Sequence, residues 1–186
     1  VSSVSPETSL NAVWKPVLLR AAVAAVFGAV TIFWQDPSLA VLAVAGGLYF
    51  LLSGAAVWIM SRGRSLASAR RLFIVEAGLF VTGAVLAFII PTAVGFTVAA
   101  VIALGGSGVV ELVLWAKLRK QLAVARDWLV TGVVGVGTAL FLPLFVQLQA
   151  HALLGVVGGA AVIIAVFLLI AALTYRHEAP TRAVKA

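Results

Sequence analysis

Residues 152–175 read ALLGVVGGAAVIIAVFLLIAALTY, 24 positions without a charge, closed by Arg176-His177. The hydrocarbon core of a bilayer is about 30 Å thick and takes about 20 apolar residues of helix to cross. A membrane β-strand alternates apolar and polar positions, and the unbroken apolar run 161–173 does not. Amides in hydrocarbon find no water, so the segment must bond internally as a helix.

Five more segments of this kind precede it, at 16–34, 39–60, 72–90, 92–115 and 128–146. The predicted fold is all-α and polytopic, with six transmembrane helices. Composition agrees. Of 186 residues, 63% are AVILMFWYC and 10% are charged, with mean hydropathy +1.19. An ordinary soluble domain has roughly 45–50% apolar residues, glycine included, and about 25% charged ones. This excludes a soluble enzyme and a disordered tail. The absence of cysteine excludes a disulfide scaffold and any thiolate metal site.

The net charge of +7 does not point to nucleic acid, because the basic residues form short clusters between apolar segments. Of the 13 Lys and Arg, 12 fall on one side of the predicted membrane. They are Lys15, then Arg62, Arg64, Arg70 and Arg71, then Lys117, Arg119, Lys120 and Arg126, and finally Arg176, Arg182 and Lys185. The opposite turns, at 35–38, at Pro91 and at 147–151, hold none. The positive-inside rule makes both termini cytoplasmic. Residues 1–15 then form a short cytoplasmic segment, 16–176 the transmembrane domain and 177–186 a cytoplasmic tail. The start of the chain lacks the basic region of a signal peptide.

Tight outer turns divide the domain into helical hairpins at 16–60, 72–116 and 127–175. Pro37 and Pro91 stand 54 residues apart, as do Ser53-Gly54 and Ser107-Gly108, and Pro143 follows Pro91 by 52. Such spacing predicts an internal repeat: three parallel hairpins around an axis along the membrane normal.

Leu18-Leu19-Arg20-Ala21-Ala22, Phe27-Gly28 and Asp36-Pro37 in the first hairpin, with Val75-Glu76-Ala77-Gly78, Gly83, Pro91 and Ser107-Gly108-Val109-Val110-Glu111 in the second, carry a family likeness. From about Trp14 to Arg176 the chain resembles the HdeD-type acid-resistance membrane proteins, small six-helix proteins of the bacterial inner membrane. Many members carry an Arg in the first helix and a Glu in the third and fourth, which Arg20, Glu76 and Glu111 match. The third hairpin departs from the pattern. It has no acid within its helices, and Pro143 lies inside the apolar run 140–146. The resemblance implies a role in acid or general stress tolerance and supplies no molecular activity.

Arg20, Glu76 and Glu111 are also the residues that physics singles out. An ionised side chain at a helix centre costs roughly 2.5–3.5 kcal/mol on insertion scales. Counted from the cytoplasmic ends of their helices, all three lie about 6–9 Å deep at 1.5 Å per residue. Arg20, Ala24 and Gly28 share a face at i, i+4, i+8, Glu76 shares one with Gly83, and Glu111 with Ser107 and Gly108. The expectation is an intramembrane charge cluster in which Arg20 bridges Glu76 and Glu111. One cation cannot balance two carboxylates, so the cluster would be acid-sensitive and a candidate ligand or proton site. The plainer alternatives are a purely structural ion pair, or an Arg20 that snorkels to the headgroups.

Gly28, Gly54, Gly83, Gly108, Gly155 and Gly159 read as helix-packing positions, where small residues let helices approach in lipid. Gly105-Gly106-Ser107-Gly108 reads the same way, with local unwinding as the alternative. His151 and His177 stand alone, so no metal site and no cofactor is expected. Trp14, Trp115, Trp128 and Tyr175 suit the cytoplasmic interface, as does Trp58 beside its basic loop, and Trp34 suits the outer interface. No nucleophile is paired with a base, so the protein reads as non-enzymatic. Two other functions compete with a tolerance factor: a small proton-coupled transporter or permease, and an accessory subunit of a larger membrane complex. The expected partners are the lipid bilayer, anionic lipid at the cytoplasmic loops, and a second copy or another membrane protein.

Overall fold

The computed structural model describes residues 6–120, 122 and 124–183. Among them the chain is helical, without strands. Five stretches are long and apolar enough to cross a membrane: Trp14–Phe33, Leu39–Ser61, Leu66–Ile89, Ala93–Leu118 and the 53-residue Ala125–His177. The chain is thus a helical protein of membrane-spanning character. Its surface agrees: Val26, Ile32, Ile89, Leu140 and Ile170 point outward, each more than half exposed. An outer face this apolar has lipid as its natural surroundings.

Helix α1 (Pro6–Phe33) begins ten residues before the expected 16, so Pro16 lies inside it. Pro6 opens the helix instead, where a missing N–H costs nothing. Helix α2 (Leu39–Ser61) is capped by Ser38, whose hydroxyl accepts from the Val41 N–H at 3.3 Å. A short 3₁₀ turn, Arg64–Ala69, leads into α3 (Arg70–Ile89). Thr92 caps α4 (Ala93–Ala100) in the way Ser38 caps α2, accepting from the Gly95 N–H at 3.0 Å. A π-helical segment, Val101–Gly106, joins α4 to α5 (Ser107–Leu118) without a break.

Helix α6 (Ala125–Phe141) ends five residues short of the expected 146. Pro143 accounts for this. A residue without an N–H cannot continue the ladder, but it can open the 3₁₀ turn Leu142–Leu148 that follows. Helix α7 (Gln149–Ala183) then runs back along α6. Tyr175, late in α7, donates its hydroxyl to Asp127 Oδ2 in the first turn of α6 at 2.5 Å, so the two helices are antiparallel. The 53-residue apolar stretch is therefore two helices and a turn. The expected tail is helical as far as Ala183; its end, with Lys185, and residues 1–5 of the N-terminal segment lie outside the described residues.

The most extensive packing joins α1 to α7, then α2 to α3 and α5 to α6. Helices α2–α3 and α5–α6 are consecutive across the loops at the basic end of the bundle, and α1 and α7 pack along their length, Gly158 against Thr31 included. Arg176 of α7 lies 5.7 Å over the Trp14 ring of α1 at that end. Glycine sets the closest approach. A Cβ on Gly108 would stand 2.8 Å from the Gly132 carbonyl oxygen, and one on Gly132 would stand 2.9 Å from that of Gly108. Gly28 abuts Val162, Gly54 abuts Phe80, and Gly83 abuts Ala103.

Gly155 and Gly159 are corrections. A Cβ on either meets nothing within 4 Å. The buried face of α7 runs through Leu154, Val157, Ala161, Ala165 and Leu168, and Gly158 is the position that meets Thr31 of α1. Trp128 is a second correction. It is buried against Phe73, with ring centroids 5.7 Å apart, because its face of α6 turns toward α3 and away from lipid. Tyr175 is likewise buried, tied to Asp127. Trp14, Trp58 and Trp115 each lie beneath a cation, from Lys15, Arg62 and Arg119 respectively.

Candidate intramembrane charge site

Three helices deliver the site. Arg20 sits on α1 six residues past Trp14, Glu76 on α3 six past Arg70, and Glu111 on α5 seven before Leu118. The three positions share a depth, and the packing of α1, α3 and α5 about the core turns them toward one another. Arg20 Nη1 donates to Glu111 Oε1 at 2.5 Å and lies 3.4 Å from Glu76 Oε1. Arg20 is 6% exposed and each carboxylate 1%. Arg20 therefore faces the interior and does not snorkel.

The arrangement is unequal. Glu111 holds a short charge-assisted bond. Glu76 Oε1 accepts no hydrogen bond from any described residue, although the two acids lie within reach of each other. In a medium of low dielectric a polar atom that accepts no hydrogen bond is costly, since nothing fully replaces its lost water. Three ionised groups would leave a net negative charge in the apolar layer. A single proton held by the acids would bring the cluster to neutrality.

The surroundings contain groups that the spacing argument did not supply. The Phe80 ring lies 5.7 Å from the Arg20 guanidinium carbon, one turn beyond Glu76 on the same helix. Tyr49 of α2 stacks on Phe27 at 4.4 Å and lies near enough to Arg20, Glu111 and Ser53 to interact with each. Phe80 was legible as Glu76 plus four. Tyr49 had a weaker signal: it is one of two tyrosines in the chain and stands four residues before buried Ser53.

The π segment positions Glu111. Its wide turn adds a residue to the ladder, and such turns recur at functional sites. The run Gly105-Gly106-Ser107-Gly108 is packed and not unwound. The Ser107 N–H bonds to the Ala103 and Leu104 carbonyls, and its hydroxyl donates to Leu104 O at 3.2 Å. Gly135 of α6 lies against the Leu104 carbonyl, so the widened turn is braced from the next helix. Ala24 and Gly28, on the Arg20 face of α1, are buried, with Gly28 against α7.

An apolar groove of ≈ 650 Å³ lies between α1 and α2, with Trp34 and Val41 among its lining toward the turn that joins them. Tyr49 lines it too, so one residue touches both the groove and the charged cluster. Neither the protein-family models, nor the curated proteins, nor the solved structures contain a match to this chain.

Proposed function

We propose that the chain is a six-span, HdeD-like protein of the bacterial inner membrane, with both termini cytoplasmic, that contributes to acid or general stress tolerance without catalysing a reaction. In this reading Arg20, Glu76 and Glu111 form its proton-sensitive element. The observation that carries it is one buried cation facing two buried acids, of which Glu76 leaves an oxygen without a hydrogen bond. The cluster lies in the apolar layer, where ionised groups tend to mark functional sites.

Six spans are supported by the antiparallel return of α7 along α6, since 53 residues of helix would measure about 80 Å, far beyond one bilayer. The hairpin repeat is supported by the caps: Ser38 and Thr92 stand 54 residues apart, matching the spacing of Pro37 and Pro91. Orientation is supported by the positive-inside rule.

The test is a deletion strain challenged with acid and complemented by variants. The wild-type chain is expected to restore survival, and Arg20→Leu is expected not to. Difference infrared spectroscopy on the purified protein should show a protonated carboxyl band near neutral pH, absent in Glu76→Gln. Survival unchanged by deletion would remove the tolerance role; absence of the carboxyl band would remove the proton.

A second reading, a proton-coupled permease, is favoured by the groove that reaches Tyr49 beside the cluster. It requires water to reach the charges. A single cysteine at Ser107 would then react with a water-soluble maleimide in intact vesicles, and protection would exclude this reading.

A further inference from the structure

Away from the charge cluster, a second cleft, of ≈ 490 Å³, opens at the basic end of the bundle between α6, α7 and the turn before α6. Its rim holds Arg119 and Arg126, both exposed. Among the described residues the ion pairs belong to Arg20, so no described carboxylate holds either rim arginine. Arg119 is oriented by the Trp115 ring, 5.0 Å from its guanidinium carbon. The one acid in the lining, Asp127, accepts the Tyr175 hydroxyl on Oδ2. Two cations against one carboxylate leave the rim with one net positive charge.

The deeper wall changes character. Phe167 and Ile170 line it, both exposed on α7. Phe167 precedes Tyr175 by eight residues, which places it about 12 Å further into the apolar layer. A cleft with a guanidinium rim and an apolar wall running down the span matches one molecule that the surroundings supply in quantity. Its phosphodiester carries a single negative charge, and its chain lies parallel to the helix. Basic recesses between spans at the cytoplasmic face are suited to such headgroups.

We propose that this cleft binds one anionic diacyl phospholipid, its phosphodiester between Arg119 and Arg126 and an acyl chain along Phe167 and Ile170. The site rests on the reading of the chain as a membrane protein and on nothing in the Arg20 cluster. Arg119 and Arg126 place the headgroup, Trp115 holds Arg119 in position, and the tie between Asp127 and Tyr175 keeps the two helices at the spacing the chain needs.

Native mass spectrometry of the full chain in detergent, titrated with dioleoylphosphatidylglycerol or dioleoylphosphatidylcholine, tests this. One phosphatidylglycerol per chain is expected, with phosphatidylcholine at least about tenfold weaker. Each surface cation contributes about fivefold in affinity, so Arg119→Gln with Arg126→Gln should weaken phosphatidylglycerol by on the order of tenfold or more. Arg62→Gln with Arg70→Gln is the matched control: it removes the same charge from the other basic loop, one of the pair also stacked on a tryptophan. Equal losses from the two double variants would reduce the effect to net charge and overturn the site. Inorganic phosphate displacing the lipid at comparable concentration would overturn it too, since the acyl wall would then contribute nothing. Failure to insert into phosphatidylglycerol vesicles would sink the membrane reading itself, whereas insertion without lipid selectivity would sink this site alone.

Discussion

Arg20 has two acids within reach but bonds only one of them, and the energetics of the cluster follow from that inequality. Losing a charge-assisted hydrogen bond costs about 1.5–3 kcal/mol, so Glu111→Gln should destabilise by that amount, with Glu76 left to balance the arginine. Glu76→Gln should cost less than about 1 kcal/mol, because glutamine has the shape of the neutral acid and the short bond to Glu111 survives. Removing both acids leaves a buried cation alone, and breaking a buried pair in that way costs about 3–5 kcal/mol. The double variant should therefore exceed the sum of the singles in denaturant unfolding in micelles. Equal single losses would contradict the charge balance. Gln149 is the other residue with a definite expectation. Its φ of 65° and ψ of −164° lie in a region that glycine adopts freely and other residues enter at about 1–3 kcal/mol. Gln149→Gly should raise the unfolding temperature, with a gain of roughly 1 kcal/mol after the added freedom of the unfolded chain is counted. An unchanged or lower temperature would show that the glutamine side chain contributes at that turn.

At the scale of the helix, identical residue types have opposite roles according to which face they occupy. Gly108 and Gly132 let two backbones meet, so Gly108→Ala should push α5 from α6 and cost about 1–3 kcal/mol, as overpacking does. Gly155 and Gly159 meet open space, so alanine at both should leave stability unchanged or raise it by up to about 1 kcal/mol each through helix propensity. Thermal unfolding of the two sets side by side checks this, and a loss at Gly155→Ala would mean that a second chain packs on that face. The π segment belongs to this scale as well. It places an extra residue ahead of Glu111, so deletion of one residue from 101–106 should swing the carboxylate off Arg20 and destabilise by at least the about 1.5–3 kcal/mol of the lost charge-assisted bond.

For the whole molecule, the arrangement of charge makes one clear demand. Ser38 lies at a turn without Lys or Arg, and Lys120 lies in a basic loop at the other end. The chain has no cysteine, so single cysteines at these positions are clean reporters. In right-side-out vesicles Ser38→Cys should label with an impermeant maleimide, and Lys120→Cys should label only after permeabilisation. Labelling from the same side would break the topology. The tight pairs are α1 with α7, α2 with α3 and α5 with α6, and the last two are joined by basic loops. The looser pair α1 and α2, linked by the turn at 35–38, leaves the groove that Tyr49 lines.

The length of the apolar segments and the positions of Arg20, Glu76 and Glu111 along them were enough to read the helices and the meeting of three charges. All of these depend on distance along one helix or on transfer of a residue into hydrocarbon, and both are properties of the chain itself. What each face touches was not legible. Gly155 and Gly159 fit a packing motif yet face outward, Trp128 fits an interface belt yet lies in the core, and Tyr49 gave little sign that it adjoins the cluster. The unequal pairing of Arg20, the π turn before Glu111 and the early end of α6 ahead of Pro143 also came from the tertiary structure. Rotation of a helix about its axis, in a protein apolar both inside and out, is decided by how neighbouring surfaces fit, because hydropathy no longer distinguishes the buried side from the exposed one.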